Sequence, residues 1–257
     1  MIAASGLPLR LWLAIWRVQE RYHRYSVEGL EHLDGPDAAL VVGYHGRPWA
    51  YDMCMLMVAM HDRFKYYPHG IVHRGIDQFP GMRWFFDAIG CITGDGEGIA
   101  TAVARGEHIV TTPGGAHEGC RSFLDNYRVA WGEHVGYLRL ALKYGLRIVP
   151  VGAAGADGTY IGLNNPDALA ACLGLPRHWQ QRIPWLGIGP LGLFPFSPPF
   201  PVRMRQLIGK PIDPRAEGPS RPDDRETLLR LHRRVVAAVQ ALLDRARGAS
   251  VGRRRQE

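Results

Sequence analysis

Ala38-Ala39-Leu40-Val41-Val42-Gly43-Tyr44-His45-Gly46-Arg47-Pro48 decides how the rest of the chain is read. Its apolar residues follow one another without alternation, which fits a strand buried on both faces. Gly43-Tyr44 closes the run, and Pro48 suits the first turn of a helix that continues to about residue 61. The same alternation continues downstream. Residues 64–72, 89–93, 108–112, 146–153 and 202–208 read as strands. Residues 79–88, 96–105, 132–144 and 223–247 read as helices, the third ended by Gly145. Pro150 places its strand at an edge, an end or a bulge. Strands alternating with helices predict an α/β fold: a mixed, mostly parallel sheet flanked by helices, preceded by an N-terminal amphipathic helix.

That leading helix spans residues 7–24, with Leu9, Trp12, Leu13 and Trp16 at helical spacing and Arg10, Arg17, Arg21 and Arg24 on another narrow face. Such a helix suits a membrane interface, or else docks its apolar side on the domain. Residues 184–202 carry no charge and too much Pro and Gly for a helix. A loop of this kind packs under the domain or dips into lipid. The division expected is residues 1–24 as the interface helix, 25–247 as the main domain and 248–257 as a flexible basic tail.

With 257 residues and 46% hydrophobic composition, the chain can bury a core without staples. Its net charge of +7 favours anionic partners. No aromatic-plus-basic RNA motif or DNA-reading helix accompanies that charge, so no nucleic-acid partner is expected. Cys54, Cys91, Cys120 and Cys172 form no Cys-x-x-Cys pair and read as reduced thiols rather than a zinc site. His69 and His73 face one side of a strand too far apart for easy chelation, and no metal is expected. No run reaches the roughly twenty apolar residues of a spanning helix. The short apolar stretch at 11–15 lies between Arg10 and Arg17 and is no secretory signal.

Two strand ends carry the chemistry. At the first, His45 sits where open α/β sheets place ligands, with Asp52 on the next helix and Gly46 allowing close approach. A neutral histidine can take a proton from a hydroxyl while an aspartate fixes its tautomer. A histidine in this place can equally be a satisfied strand-end residue. At the second, Pro113-Gly114-Gly115-Ala116-His117-Glu118 leads to Arg121 and Arg128. Backbone N–H groups in such a turn can hold a phosphate or an oxyanion, though Pro-Gly-Gly is also an ordinary tight turn. Gly94-Asp95-Gly96-Glu97-Gly98 is not a dinucleotide fingerprint, and no serine nucleophile elbow is present. Cys120 with His117 makes a weak thiol–base pair, lacking an orienting group.

In this order the motifs resemble the glycerolipid acyltransferase superfamily. The likeness runs over residues 25–245 and is closest to its monoacylglycerol and diacylglycerol acyltransferase branch. It rests on Tyr44-His45-Gly46 with Asp52, on residues 90–98, on residues 113–118, on Ile148-Val149-Pro150-Val151 and on Gly209-Lys210-Pro211-Ile212. The resemblance implies an acyltransferase domain at 25–247 that moves a fatty acyl group from acyl-CoA or acyl-carrier protein to a lipid hydroxyl, by direct attack. His45 would be the general base and Asp52 its orienting partner. Gly46, Arg47, Pro113, Gly114, Gly115, His117, Glu118 and Arg121 would bind substrate. No cofactor beyond the acyl thioester and no metal is implied. The enzyme would be peripheral or monotopic on the cytoplasmic face of a membrane, with a membrane lipid as partner.

Two departures stand out. The family usually separates its His and Asp by four residues, whereas six intervene between His45 and Asp52. On an unbroken helix this separates them by about 10 Å at ~1.5 Å per residue, so the loop through Arg47 and Pro48 must fold back. Otherwise His45 needs another orienting group, or the chain is a non-catalytic lipid-binding scaffold that keeps the fold. Residues 92–97 also lack the arginine that lysophosphatidate-type members use for the acceptor phosphate, which favours a neutral lipid alcohol.

Overall fold

The computed structural model describes residues 6–72, 81–92, 96–175, 184–216 and 224–254, the last six of them as backbone only. The sequence pattern becomes a six-stranded sheet with helices on both sides. Its strands are β1 (Ser26–Glu28), β2 (Ala39–Gly43), β3 (His69–Gly70), β4 (Ile109–Thr111), β5 (Arg147–Ala154) and, after a separate small sheet, β9 (Arg205–Ile208). Their order is β1-β9-β5-β2-β4-β3, and every pairing is parallel except β5 with β9. The small antiparallel sheet comprises β6 (Ile161–Gly162), β7 (Gly187–Gly189) and β8 (Gly192–Leu193).

Central β2 is buried along its whole length because both faces are covered. Ala39, Val41, Val149 and Val151 face one layer, where α1 (Gly6–Tyr22) and α2 (Arg47–Phe64) supply Leu9, Leu13, Trp16, Met55 and Leu56. Leu40, Val42, Ile109 and Ile148 face the other layer. That layer is built from α4 (Gly96–Ala104), α6 (Gly136–Tyr144) and α8 (Arg225–Arg254). The period of two along each strand thus sorts side chains into two cores. The remaining helices are α3 (Met82–Ala88), α5 (Gly115–Gly119) and α7 (Pro166–Cys172).

Several expected boundaries move, each for a physical reason. The strand expected at 64–72 shrinks to His69–Gly70. α2 runs through Phe64 and ends at left-handed Lys65, and Pro68 has no N–H to give a ladder. Of the strand expected at 89–93, the described residues 89–92 contribute the bridge of Ile92 with Ile71. His73, Thr93, Gly94 and Asp95 lie outside the described residues. Pro150 sits in an interior strand, at a bulge. Ile148 pairs with Ile212 and Val151 with Ile208, so residues 209–211 stand against only 149–150. The missing N–H falls where the partner strand loops away. α8 runs on to Arg254, into the segment expected as a basic tail. The leading helix docks Leu9, Leu13 and Trp16 on the domain, while Leu7, Leu11, Ile15 and Val18 face outward. No helix among the described residues is long and apolar enough to cross a membrane.

Candidate active site

Parallel β2 and β4 lie in register, Val42 beside Thr111. Their C-terminal ends therefore deliver His45 and the Pro113–Gly115 turn side by side, at the rim where open parallel sheets hold ligands. α2 begins at Arg47 with Pro48 in its first turn, but Ala50 is left-handed (φ 48°, ψ 51°). That single residue breaks the helix and turns the chain back on itself. Asp52 is thereby returned to the strand end, where its Oδ1 accepts the Gly46 N–H at 3.3 Å. A Cβ on Gly46 would stand 2.4 Å from the Ala156 Cβ and 2.7 Å from this carboxylate oxygen. Position 46 is therefore closed to any side chain.

The fold-back required by the sequence is present, but it does not join Asp52 to the histidine ring. His45 Nδ1 lies 2.9 Å from the Gly46 carbonyl oxygen. A carbonyl only accepts, so Nδ1 carries the hydrogen and Nε2 holds the lone pair. Nε2 has no protein partner among the described residues. Burial pulls the His45 pKa below its ordinary value, against the raising effects of backbone hydrogen bonds and of Asp157. Gly119 packs directly on the ring: a Cβ there would be 2.5 Å from Nδ1. Asp52 is buried and its Oδ2 has no partner. Burial pushes its pKa up to about 7.

Glu118 is fully buried on α5. Its Oε2 accepts the His45 backbone N–H at 2.8 Å and the Trp131 indole N–H at 3.0 Å, and its Oε1 accepts the Ala130 N–H at 2.8 Å. Desolvation raises its pKa to about 8 against the pull of these donors. In the adjoining turn, the Gly115 N–H is already bonded to the Thr112 carbonyl oxygen.

Arg47 and Arg121 are as buried as Glu118, and both turn toward Asp157. Arg47 donates to the Asp157 carbonyl oxygen at 3.3 Å, to the Arg121 carbonyl oxygen and to Asn126 Oδ1. Arg121 donates to the Arg128 carbonyl oxygen at 2.6 Å, and its guanidinium lies 4.6 Å from the centre of the Tyr44 ring. Asp157 also accepts from the Tyr44 hydroxyl and, at 2.6 Å, from the Tyr127 N–H. Both guanidiniums are thus held by internal partners, Arg121 with its Nε left unpaired. His117 is exposed and turned to Asp167. Burial raises the Cys120 thiol to about 11, so no thiolate stands beside that histidine. A cavity of about 290 Å³ opens next to this corner, lined by His117, Arg121, Asp125, Arg128, Ala130 and Asn165 among others.

The structure therefore brings together His45, Gly46, Asp52, Pro113, Gly114, Gly115 and Glu118. Arg47 and Arg121 lie behind them, and His117 stands apart on the cavity rim. Sequence reasoning missed Asp157 and Trp131. Asp157 had a readable signal: Gly155-Ala156-Asp157-Gly158 follows β5, whose C-terminal end lies beside that of β2. Among the described residues no group of His, Cys, Asp and Glu could hold a metal ion.

Comparisons with known proteins bear on this geometry. The Acyltransferase family model matches residues 24–154. A chicken protein named "DGAT1/2-independent enzyme synthesizing storage lipids" is 27% identical over 93% of this chain and 64% of its own. Its human namesake is 24% identical over 87% of this chain and 62% of its own. The chain thus spans less than two thirds of the length of these relatives. The crystal structure of 1-acyl-sn-glycerophosphate (LPA) acyltransferase, PlsC, from Thermotoga maritima has a similar fold. It matches with a TM-score of 0.52 and 17% identity, over 91% of this chain and 80% of that one.

Proposed function

The chain belongs to the acyltransferase family, and from that premise we propose that it acylates a lipid hydroxyl at a membrane surface, with His45 as general base. The donor is an acyl thioester of coenzyme A or of a carrier protein. One observation carries the role of His45: its Nδ1–H is committed to the Gly46 carbonyl, which leaves the Nε2 lone pair for an incoming hydroxyl. Nε2 takes the hydroxyl proton as the oxygen attacks the thioester carbonyl. The C–S bond then breaks, and the proton passes to the leaving thiolate. No acyl-enzyme is required. Glu118 fixes the backbone of His45, and Asp52 positions it through Gly46 rather than by contact.

A neutral lipid alcohol is the acceptor we favour. Arg47 and Arg121 are both buried and turned to Asp157 and backbone oxygens, with Arg121 Nε alone unpaired, which disfavours a phosphate as their ligand. The chicken and human relatives, named for the synthesis of storage lipids, point the same way. Peripheral membrane attachment is supported by α1. Its outward stripe of Leu7, Leu11, Ile15 and Val18 is flanked by exposed Arg10, Arg17 and Arg21. The cytoplasmic face is the proposed side.

The test is transfer of a radiolabelled acyl group from acyl-CoA to a panel of neutral and phosphorylated lipid acceptors. Turnover is expected with a neutral alcohol and lost in His45→Ala. Full wild-type turnover by His45→Ala would sink the mechanism. A second reading draws on the absence of a His45–Asp52 hydrogen bond: a lipid-binding scaffold that keeps the fold. Tight lipid binding with no turnover from any donor would select it.

A further inference from the structure

Residues 184–202 pack one side against the domain and leave the other exposed. One side of the hairpin faces inward: Trp185 and Phe194 pack with ring centres 5.7 Å apart, and Phe194 lies 5.4 Å from Tyr160. The turn is held in shape, since Ser197 Oγ accepts the Leu191 N–H at 3.0 Å and the Tyr160 hydroxyl donates to the Ser197 carbonyl at 2.9 Å. The other side is bare. Leu191 is 80% exposed, Phe196 92% and Leu193 52%. No charged residue lies anywhere in 184–202. Structured apolar tips of this kind mark interaction sites.

The tip continues a surface already read as facing lipid. The outward stripe of α1 ends at Tyr22, whose hydroxyl donates to the Pro199 carbonyl at 2.8 Å, inside the same uncharged segment. Exposed Arg10 and Arg21 beside that stripe supply charge complementary to anionic lipid, while Arg17 is paired with Asp62 at 2.7 Å. Trp49, four residues after His45, is half-exposed and packs against Phe194 at 6.2 Å between ring centres.

We propose that the β7–β8 hairpin is a second membrane contact, its Leu191–Phe196 tip seated in an anionic bilayer beside α1. Trp49 then stands between that tip and His45, at the mouth through which the acceptor lipid leaves the bilayer. This rests on the reading of the protein as a membrane-surface acyltransferase. A tip and a helix that insert together fix orientation as well as affinity, which one helix alone does not.

Flotation of the full chain with phosphatidylcholine vesicles, with and without phosphatidylglycerol, tests it. The double variant L191S/F196S alters two exposed side chains and should melt like the wild type. Its partitioning onto phosphatidylglycerol vesicles should fall roughly tenfold. The conservative pair L191I/F196W should bind as wild type, and its new indole should be quenched by brominated acyl chains. Wild-type binding by L191S/F196S, or an unquenched Trp at 196, would overturn the proposal. Binding is read without any acyl donor, so the two readings fail separately. Hairpin-dependent binding by a protein that makes no product removes the acyl-transfer reading and leaves the hairpin. Product formation with hairpin-independent binding does the reverse.

Discussion

The ends of β2 and β4 are built alike and used differently. Each strand runs into glycine and each is followed by a helix that carries a buried carboxylate, Asp52 on α2 and Glu118 on α5. Glu118 accepts three N–H donors, two on one oxygen and one on the other. Asp52 accepts the Gly46 N–H on Oδ1, and its Oδ2 has nothing. Burial is equal, so desolvation does not separate them; hydrogen-bond capacity does. A saturated carboxylate is a strut, because any change in its protonation or position breaks bonds already made. A carboxylate with an idle oxygen can take part in a proton shift beside it. The same contrast holds on the histidine, where Nδ1 is committed and Nε2 is open.

His45→Ala should produce the largest effect. Loss of a general base costs about 10²–10⁴-fold in turnover, and a half-buried side chain at a strand end can be removed with little change in melting. Steady-state kinetics beside a thermal melt would show this. In the wild type, the acid limb of the rate profile should fall below the ordinary histidine range, because burial lowers the His45 pKa. Glu118→Ala attacks the strut. It leaves three buried N–H groups unpaired at about 1–3 kcal/mol each, so it should destabilise the domain by several kcal/mol in urea. Glu118→Gln keeps part of the acceptor capacity and should fall between. Equal stability of wild type and Glu118→Ala would erase the distinction between the two carboxylates.

Much of this was legible in residue order. The uninterrupted apolar run before His45 gave the central strand, and Pro48 the helix start, because burial on both faces and a fixed φ are local properties. The family resemblance gave the Glu118 region, though with substrate contact where the structure shows internal support. Arg47 and Arg121 illustrate why: a charged residue beside a motif looks available until tertiary contact brings up Asp157, more than a hundred residues away from Arg47. The His45–Asp52 spacing called for a reversal, but its place at Ala50 had no signal, since alanine is a poor choice for a left-handed turn. The two faces of α1 were likewise blurred in sequence, because its docked and outward stripes are both apolar.

Gly119→Ala sharpens the comparison from the histidine side. Its Cβ would fall 2.5 Å from Nδ1, so the ring must move off the Gly46 carbonyl. Turnover should drop roughly tenfold or more, as misplacement of a base does, with melting little changed. A wild-type rate would mean that the Nδ1 contact does not set the base.

The smallest and most discriminating change is Asp52→Asn. Asparagine Oδ1 can still accept the Gly46 N–H, which alanine cannot, so Asp52→Asn should keep turnover within about tenfold of wild type while Asp52→Ala falls further. Equal losses would show that His45 uses the carboxylate's charge and not its hydrogen bond. Stability gives an independent reading. The folded pKa of Asp52 is raised to about 7 from an unfolded value near 3.8. Between those pH values the native state holds a proton that the unfolded chain has lost. The aspartate's contribution is therefore intact at low pH and declines as pH rises through that window. The amide does not titrate, so Asp52→Asn should gain on wild type from pH 4 to 7, by up to roughly 1.4 kcal/mol per pH unit. His108, lowered to about 4, acts in the opposite sense by destabilising the fold on acidification, but it is common to both chains and cancels. A flat difference would mean that Asp52 stays ionised, held by a partner on its second oxygen, and the contrast with Glu118 would then disappear.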